Sequence, residues 1–148
     1  MNVLVVGGAG YIGSQMVKLL GQQGASVTTL DDLSSGHRDA VLCGDFVKGN
    51  FGDGTVLDAV LSKGFDAVMH FASFIQVGES VQQPDKYYRN NVSYTLGLLD
   101  ASGKQLPVQL AHWNQAESGS RSFVLTQASE SFTFVNLEAE PVPSILRG

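Results

Sequence analysis

The fold is decided by the stretch Asn2-Val3-Leu4-Val5-Val6-Gly7-Gly8-Ala9-Gly10-Tyr11-Ile12-Gly13. An apolar, β-branched run passes without a spacer into a glycine turn, and a helical pattern follows it. Gly7 allows the tight turn, Gly10 allows the backbone to approach a phosphate, and Gly13 allows the helix to pack closely on the strand. The stretch therefore predicts a strand, a phosphate-binding turn and a helix whose N-terminus faces the phosphate.

A glycine turn indicates a dinucleotide only in a particular context, in which an acidic residue ends a second strand about 20 positions further on. Residues 26–30 have the pattern of that strand, and Asp31 follows them directly. The polar segment 32–39 then suits either a loop that curls over an adenosine ribose or a plain surface loop. The alternative for the whole motif is a glycine-rich turn without a ligand. Nucleotide binding is the working hypothesis.

The rest of the first 101 residues alternates between strand and helix patterns. Short apolar runs predict further strands at 46–47 and 65–72, and helical spacing predicts helices over 12–23, over 56–64 and from Pro84 to Ala101. The 65–72 run is almost continuously apolar, as in a parallel strand that is covered on both faces. The predicted fold is α/β, a Rossmann-like parallel sheet of about four strands with flanking helices.

The character of the sequence changes at about Ser102. Residues 102–120 are polar and aperiodic around an isolated Trp113, and two alternating runs follow at 122–126 and 131–137. These two runs could pair as a hairpin, with a connection over residues 127–130, or could attach to the sheet. We expect a nucleotide-binding domain over 1–101 and an irregular or β-rich tail over 102–148.

Composition narrows the classes of partner. The formal charge is −5 and the basic residues are scattered, so nucleic acid is not an expected partner. Cys43 is the single cysteine, and no Cys and His residues have metal-ligand spacing. No apolar run reaches the length of a membrane span, and no targeting signal is visible. These features predict a cytoplasmic, metal-free chain.

Isolated titratable residues favour structural roles. His37, His70 and His112 are each isolated, and His70 ends an apolar strand, which is more typical of a buried ring than of a catalytic one. Cys43 is more typical of a packing residue than of a nucleophile. Glu79 and Asp85 are more typical of helix-end carboxylates than of catalytic acids.

Five motifs occur in order along the first 101 residues: Gly7-x-x-Gly10-Tyr11-Ile12-Gly13, Asp31-Asp32-Leu33-Ser34, His70-Phe71-Ala72-Ser73, Val77-Gly78-Glu79-Ser80-Val81 and Tyr87-Tyr88-Arg89-Asn90-Asn91-Val92. Together they resemble the N-terminal part of the UDP-glucose 4-epimerases, which are extended short-chain dehydrogenase/reductases. The resemblance implies NAD as the cofactor and a UDP-sugar as the substrate of full-length members. It ends near residue 101.

The resemblance also implies a role for individual residues. Tyr11 and Ile12 would lie against the pyrophosphate, Asp31 would hold the adenosine ribose, and Asp32, Leu33 and Ser34 would form the loop beside it. The remaining contacts would come from Asn50 and Phe51 at the adenine, from Phe71, Ala72 and Ser73 at the nicotinamide half, and from Asn90 near the cofactor. Three positions depart from the family pattern: Asp32 replaces a common Asn, Asn50 an expected Asp, and Ile75 a Lys found in some members.

One family element is absent from these 148 residues. Family members carry a Tyr-x-x-x-Lys pair for proton transfer, but the residues four positions after Tyr11, Tyr87, Tyr88 and Tyr94 are Gln15, Asn91, Val92 and Leu98. Three hypotheses follow: an incomplete epimerase arising by truncation, frameshift or fusion, a non-catalytic NAD-binding module, and a fragment without function. Asp31 favours NAD over NADP, although the nearby Arg38 could accommodate a 2′-phosphate.

Overall fold

A computed structural model describes residues 1–103, 110–115, 121–126 and 131–137 of the chain. The chain divides into two compact units, Met1–Leu106 and Pro107–Gly148. Within the described residues, no helix combines the length and the hydrophobicity needed to cross a bilayer.

The N-terminal unit is built on a four-stranded parallel sheet. Its strands are β1 (Asn2–Val6), β2 (Ser26–Asp31), β3 (Asp45–Lys48) and β4 (Ala67–His70), in the spatial order β3-β2-β1-β4. The predicted Rossmann-like sheet is therefore confirmed. Because β1 has β2 on one side and β4 on the other, the chain changes direction across the sheet at the C-terminal end of β1, which is where open α/β sheets bind ligands.

Helices connect these strands and lead out of β4. They are α1 (Tyr11–Gln22), α2 (Gly54–Leu61), α3 (Val77–Gln82), α4 (Pro84–Tyr88) and α5 (Thr95–Gly103), with a 3₁₀ turn at Arg38–Ala40 and a π-helical segment at Arg89–Tyr94. Asp53 caps α2, because its carboxylate accepts from the backbone N–H groups of Thr55 and Val56. Pro84 opens α4 as predicted, but the helix predicted from Pro84 to Ala101 is interrupted by the π-helical segment, and α3 was not predicted.

The core of this unit lies against the sheet. On one face, Leu4, Val6 and Leu30 pack with apolar side chains from α2, α5 and the connecting segments: Phe51, Leu57, Val60, Leu61, Phe65 and Leu98. Val17 and Leu20 of α1 are also buried. Burial of these side chains holds the C-terminal ends of the strands in a fixed arrangement.

The C-terminal unit contains a separate antiparallel sheet. Its strands β5 (Leu110–Gln115), β6 (Arg121–Thr126) and β7 (Ser131–Leu137) follow one another in space. Of the two arrangements left open for the alternating runs, the structure shows the one in which they pair with each other, whereas the predicted connection 127–130 lies outside the described residues. Residues 110–115, within the stretch whose sequence is polar and aperiodic, form β5 and pair with β6, in a tail that was expected to be irregular or β-rich.

Candidate functional site

Two of the three glycines of the Gly7-x-x-Gly10-x-x-Gly13 motif are required by the protein itself. Gly7 has a φ of +79°, and a Cβ atom there would lie 2.5 Å from the backbone nitrogen of Ala72. A Cβ atom at Gly13 would collide with the carbonyl oxygen of Gly7 and lie 2.9 Å from the Gly7 carbonyl carbon. Gly7 thus permits the turn to pass close to the segment after β4, and Gly13 permits α1 to pack on the turn.

Gly10 is required by neither backbone conformation nor packing. Its φ of −76° and ψ of 173° suit any residue. A Cβ atom there would meet only the Gly7 carbonyl oxygen, at 3.4 Å. Gly10 is the N-cap of α1, whose first backbone N–H groups have no acceptor within the helix. The open space at Gly10 therefore lies where an anion would bind.

Asp31, at the end of β2, ties the glycine turn to the loop that follows. Its carboxylate oxygens accept from the backbone N–H of Ala9 at 2.9 Å and of Leu33 at 2.8 Å. Leu33 has a φ of +62°, an uncommon conformation for a branched side chain. Each carboxylate oxygen can accept more than one hydrogen bond, so Asp31 retains capacity for a ligand hydroxyl.

Two of the departures from the family pattern meet in the structure. Asp32 Oδ2 accepts a hydrogen bond from Asn50 Nδ2 at 2.8 Å, and Asp32 Oδ1 accepts from the backbone N–H of Ser34 at 2.9 Å. Asn50 Oδ1 accepts from the backbone N–H of Gly52 at 2.8 Å. The bond between Asn50 and Asp32 joins the loops after β2 and β3.

The opposite side of the turn is formed by the loop after β4, residues 71–74. Phe71 N–H donates to the Val6 carbonyl at 2.7 Å, which places the loop beside the glycine turn. Asn90, only 5% exposed, donates from Nδ2 to the Ala72 carbonyl at 2.8 Å. A buried amide of the π-helical segment thus supports the loop from behind.

These loops line an open cleft at the carboxyl ends of the strands. Most of the predicted site residues line it: Gly7, Gly10, Asp31, Asp32, Ser34, Asn50, Phe51, Phe71, Ala72, Ser73 and Asn90. The cleft does not include Tyr11, Ile12, Gly13 or Leu33 in its lining. Tyr11 and Ile12 are 89% and 64% exposed in the first turn of α1.

Five lining residues were not predicted from the sequence: Val6, Leu30, Ser35, Gly49 and Phe74. Val6 ends β1, Leu30 comes just before the end of β2, and Gly49 directly follows β3. The rule that ligands bind at the carboxyl ends of parallel strands would have identified these three.

His70 packs against Phe51 and Thr95, and its Nδ1 is buried without a hydrogen-bond partner. Its Nε2 lies 3.1 Å from Thr95 Oγ1, and its ring centroid lies 4.9 Å from that of Phe51. Burial lowers its pKa, so the ring is neutral at pH 7. These contacts fit the interpretation of His70 as a packed ring. Its hydrogen-bond partner is the side-chain hydroxyl of Thr95.

Glu79 and Tyr87 also take part in a local network. Hydrogen bonds from Lys86 and Tyr87 lower the pKa of Glu79, whereas burial and the bond to Glu79 raise the pKa of Tyr87. A phenol with a raised pKa is a poor proton acceptor at neutral pH. In the part of the chain that the structure describes, no three His, Cys, Asp or Glu side chains group closely enough to hold a metal ion.

The parallel sheet, the glycine turn and the carboxylate at the end of β2 define a Rossmann-type nucleotide-binding unit. A family model described as "NAD dependent epimerase/dehydratase family" matches residues 3–123. The chain belongs to this family, which confirms the resemblance seen in the motifs. The match extends beyond the boundary expected at residue 101.

Individual relatives match a shorter part of the chain. A UDP-glucose 4-epimerase of Rhizobium meliloti (strain 1021) is 47% identical over 102 residues, which are 68% of this chain and 31% of that protein. The UDP-glucose 4-epimerase of Brucella ovis, solved in complex with NAD, is 52% identical with a TM-score of 0.68 over 70% of this chain and 32% of that one. The Thermotoga maritima enzyme, solved with UDP-glucose, is 34% identical with a TM-score of 0.68 over 71% and 35%. The chain thus spans about a third of the length of these relatives.

Proposed function

We propose that the N-terminal unit binds NAD across the carboxyl ends of β2, β1 and β4. The pyrophosphate would lie at Gly10 and the first turn of α1, beside Tyr11 and Ile12. The adenosine ribose would lie at Asp31, next to the loop formed by Asp32, Leu33 and Ser34. The adenine would lie toward Asn50 and Phe51, and the nicotinamide half toward Phe71, Ala72, Ser73 and Asn90.

Gly10 is the observation that carries this proposal. Gly10 lines the cleft at the N-cap of α1, and without a side chain there its backbone is open to a ligand. Gly10, at the N-terminus of α1, and Asp31 both line the cleft. This arrangement complements a phosphate linked to a ribose.

We further propose that the chain represents the cofactor-binding part of a UDP-glucose 4-epimerase-like protein. Bound NAD would supply the hydride acceptor for interconversion of UDP-glucose and UDP-galactose, a reaction of galactose metabolism. The relatives' names and the NAD in the Brucella ovis structure support this assignment. Residues 1–101 would form the NAD-binding domain and 102–148 a tail, in a cytoplasmic protein.

A second candidate is an NAD-binding module that does not turn over a sugar. One specific observation favours it, since no Tyr in these 148 residues is followed four positions later by Lys. The only buried tyrosine among the described residues, Tyr87, has its hydroxyl bonded to Glu79. Both candidates need the same cofactor site, so NAD binding is tested first.

NAD is expected to bind at least about tenfold more tightly than NADP, equivalent to about 1.4 kcal/mol. The Asp31 carboxylate can accept from a ribose 2′-OH and would repel a 2′-phosphate. The guanidinium of the nearby Arg38 is engaged within the protein, since it lies 4.6 Å from the Phe46 ring centroid and donates to the Val41 carbonyl. Calorimetric titration of both cofactors measures the ratio.

Asp31→Ala should narrow this gap, and Asp39→Ala is the matched control, because Asp39 is an exposed carboxylate in the same connection. Equal or tighter binding of NADP by the unaltered chain would show that Asp31 does not face the ribose. Absence of binding for both cofactors would overturn the proposed function.

A further inference from the structure

We propose that Asn91 is a positioning residue that fixes loop 71–74 in the shape that receives the nicotinamide half of the dinucleotide. This inference rests on the proposed NAD binding and deepens it. It assigns a role to a residue that does not line the cleft.

Asn91 makes a closed pair of hydrogen bonds with the backbone of a single residue. Its Oδ1 accepts from Phe74 N–H at 2.9 Å, and its Nδ2 donates to the Phe74 carbonyl at 2.9 Å. A side-chain amide that satisfies both the donor and the acceptor of one residue fixes that residue's position and orientation. Asn91 therefore holds Phe74, the last residue of loop 71–74, through both of its backbone hydrogen-bonding groups.

Asn90 extends the same network to the middle of the loop. Its Nδ2 donates to the Ala72 carbonyl at 2.8 Å and to Asn91 Oδ1 at 2.9 Å. Both asparagines belong to the π-helical segment, a rare geometry that recurs at functional sites. Two consecutive amides thus hold two alternate residues of the loop by their backbone.

The Phe74 ring is fixed separately. Its centroid lies 5.6 Å from that of Tyr87 and 4.9 Å from Lys86 Nζ. Tyr87 and Lys86 both donate to Glu79, at 2.8 Å and 2.6 Å. Phe74 lines the cleft. Its backbone is held by Asn91, and its ring is held by Tyr87 and Lys86.

The strand order places loop 71–74 in one half of the proposed site. Loop 71–74 follows β4, whereas Asp31 follows β2, and β1 lies between the two strands. A dinucleotide whose pyrophosphate lies over β1 places its adenosine half toward β2 and its other half toward β4. Loosening loop 71–74 should therefore weaken contacts with only the second half.

The test compares NAD with ADP, which carries the adenosine and pyrophosphate groups alone. Asn91→Ala is expected to raise the dissociation constant of NAD about tenfold, equivalent to about 1.4 kcal/mol, and to leave that of ADP unchanged. Asn91→Asp keeps the size of the side chain but cannot donate to the Phe74 carbonyl, so it should show the same selective loss if Asn91→Ala does not fold. Ser93→Ala, at an exposed position of the same segment, is the matched control and should change neither constant.

The affinities for NAD and ADP separate the inference about Asn91 from the proposed function. Loss of NAD and ADP affinity in equal proportion would assign Asn91 a general structural role and overturn the inference, as would unchanged affinity for both. An unaltered chain that does not bind NAD would overturn the proposed function, and the inference with it. Selective loss of NAD affinity supports both.

Discussion

Alanine at Gly13 is expected to destabilise the fold severely, whereas alanine at Gly10 should abolish most cofactor binding in a folded protein. The Gly13 Cβ would overlap the Gly7 backbone, which cannot move without disturbing β1. Such overpacking costs about 3 kcal/mol, which lowers the Tm of a unit of about 100 residues by roughly 15 °C. At Gly10 the backbone accepts alanine, so the free energy of unfolding should change by less than about 1 kcal/mol.

The same Gly10→Ala variant should weaken NAD binding by about tenfold or more, because the new Cβ fills the space that the pyrophosphate would approach. Thermal unfolding followed by circular dichroism, together with NAD titration, checks both effects, and each variant is the control for the other. If Gly10→Ala bound NAD as tightly as the unaltered chain, the glycine turn would not be the pyrophosphate site.

The chain of 148 residues is expected not to convert UDP-galactose to UDP-glucose at an enzymatic rate, even with NAD present. Hydride transfer from the sugar needs a base close to the hydroxyl proton, and such a group typically contributes about 10²- to 10⁴-fold. Tyr87 donates to Glu79 and has a raised pKa, Tyr94 packs against Phe51, and Tyr88 is 70% exposed. None of the three is followed four positions later by a lysine that would lower its pKa.

The assay is conversion of UDP-galactose by the purified chain with NAD added. Turnover above about one per second, a typical lower value for enzymes, that is lost on mutation of Tyr87, Tyr88 or Tyr94 would contradict this expectation. It would show that a different group of residues performs the proton transfer.

The elements predicted well from sequence are those that depend on local signals. The glycine turn, the first helix and Asp31 were predictable because a few adjacent residues determine each of them. Helix α3 was not predicted, because Val77, Gly78 and Val81 have low helix propensity. Strand β5 was not predicted either, because residues 110–115 lack the alternation of apolar and polar side chains that indicates a strand.

The part of the site that sequence could not predict depends on long-range contacts. Asn91 and Phe74 are 17 residues apart, and a hydrogen bond between a side chain and a distant backbone leaves no periodic signal. The bond between Asp32 and Asn50 likewise spans 18 residues. The resemblance marked both positions as departures, but only the structure shows that they are partners.

An NMR titration of the ¹⁵N-labelled chain with NAD tests the central claim most directly, because it reports both binding and its location. We predict that NAD shifts the backbone amide signals of Gly7, Gly10, Asp31 and Phe74, which line the cleft. Asn2 and Ser26 begin β1 and β2, at the edge of the sheet away from the cleft, so the chemical shifts of their amide signals should not change. A spectrum unchanged at millimolar NAD, or shifts confined to residues away from the ends of β1, β2 and β4, would contradict the assignment of this cleft as an NAD site.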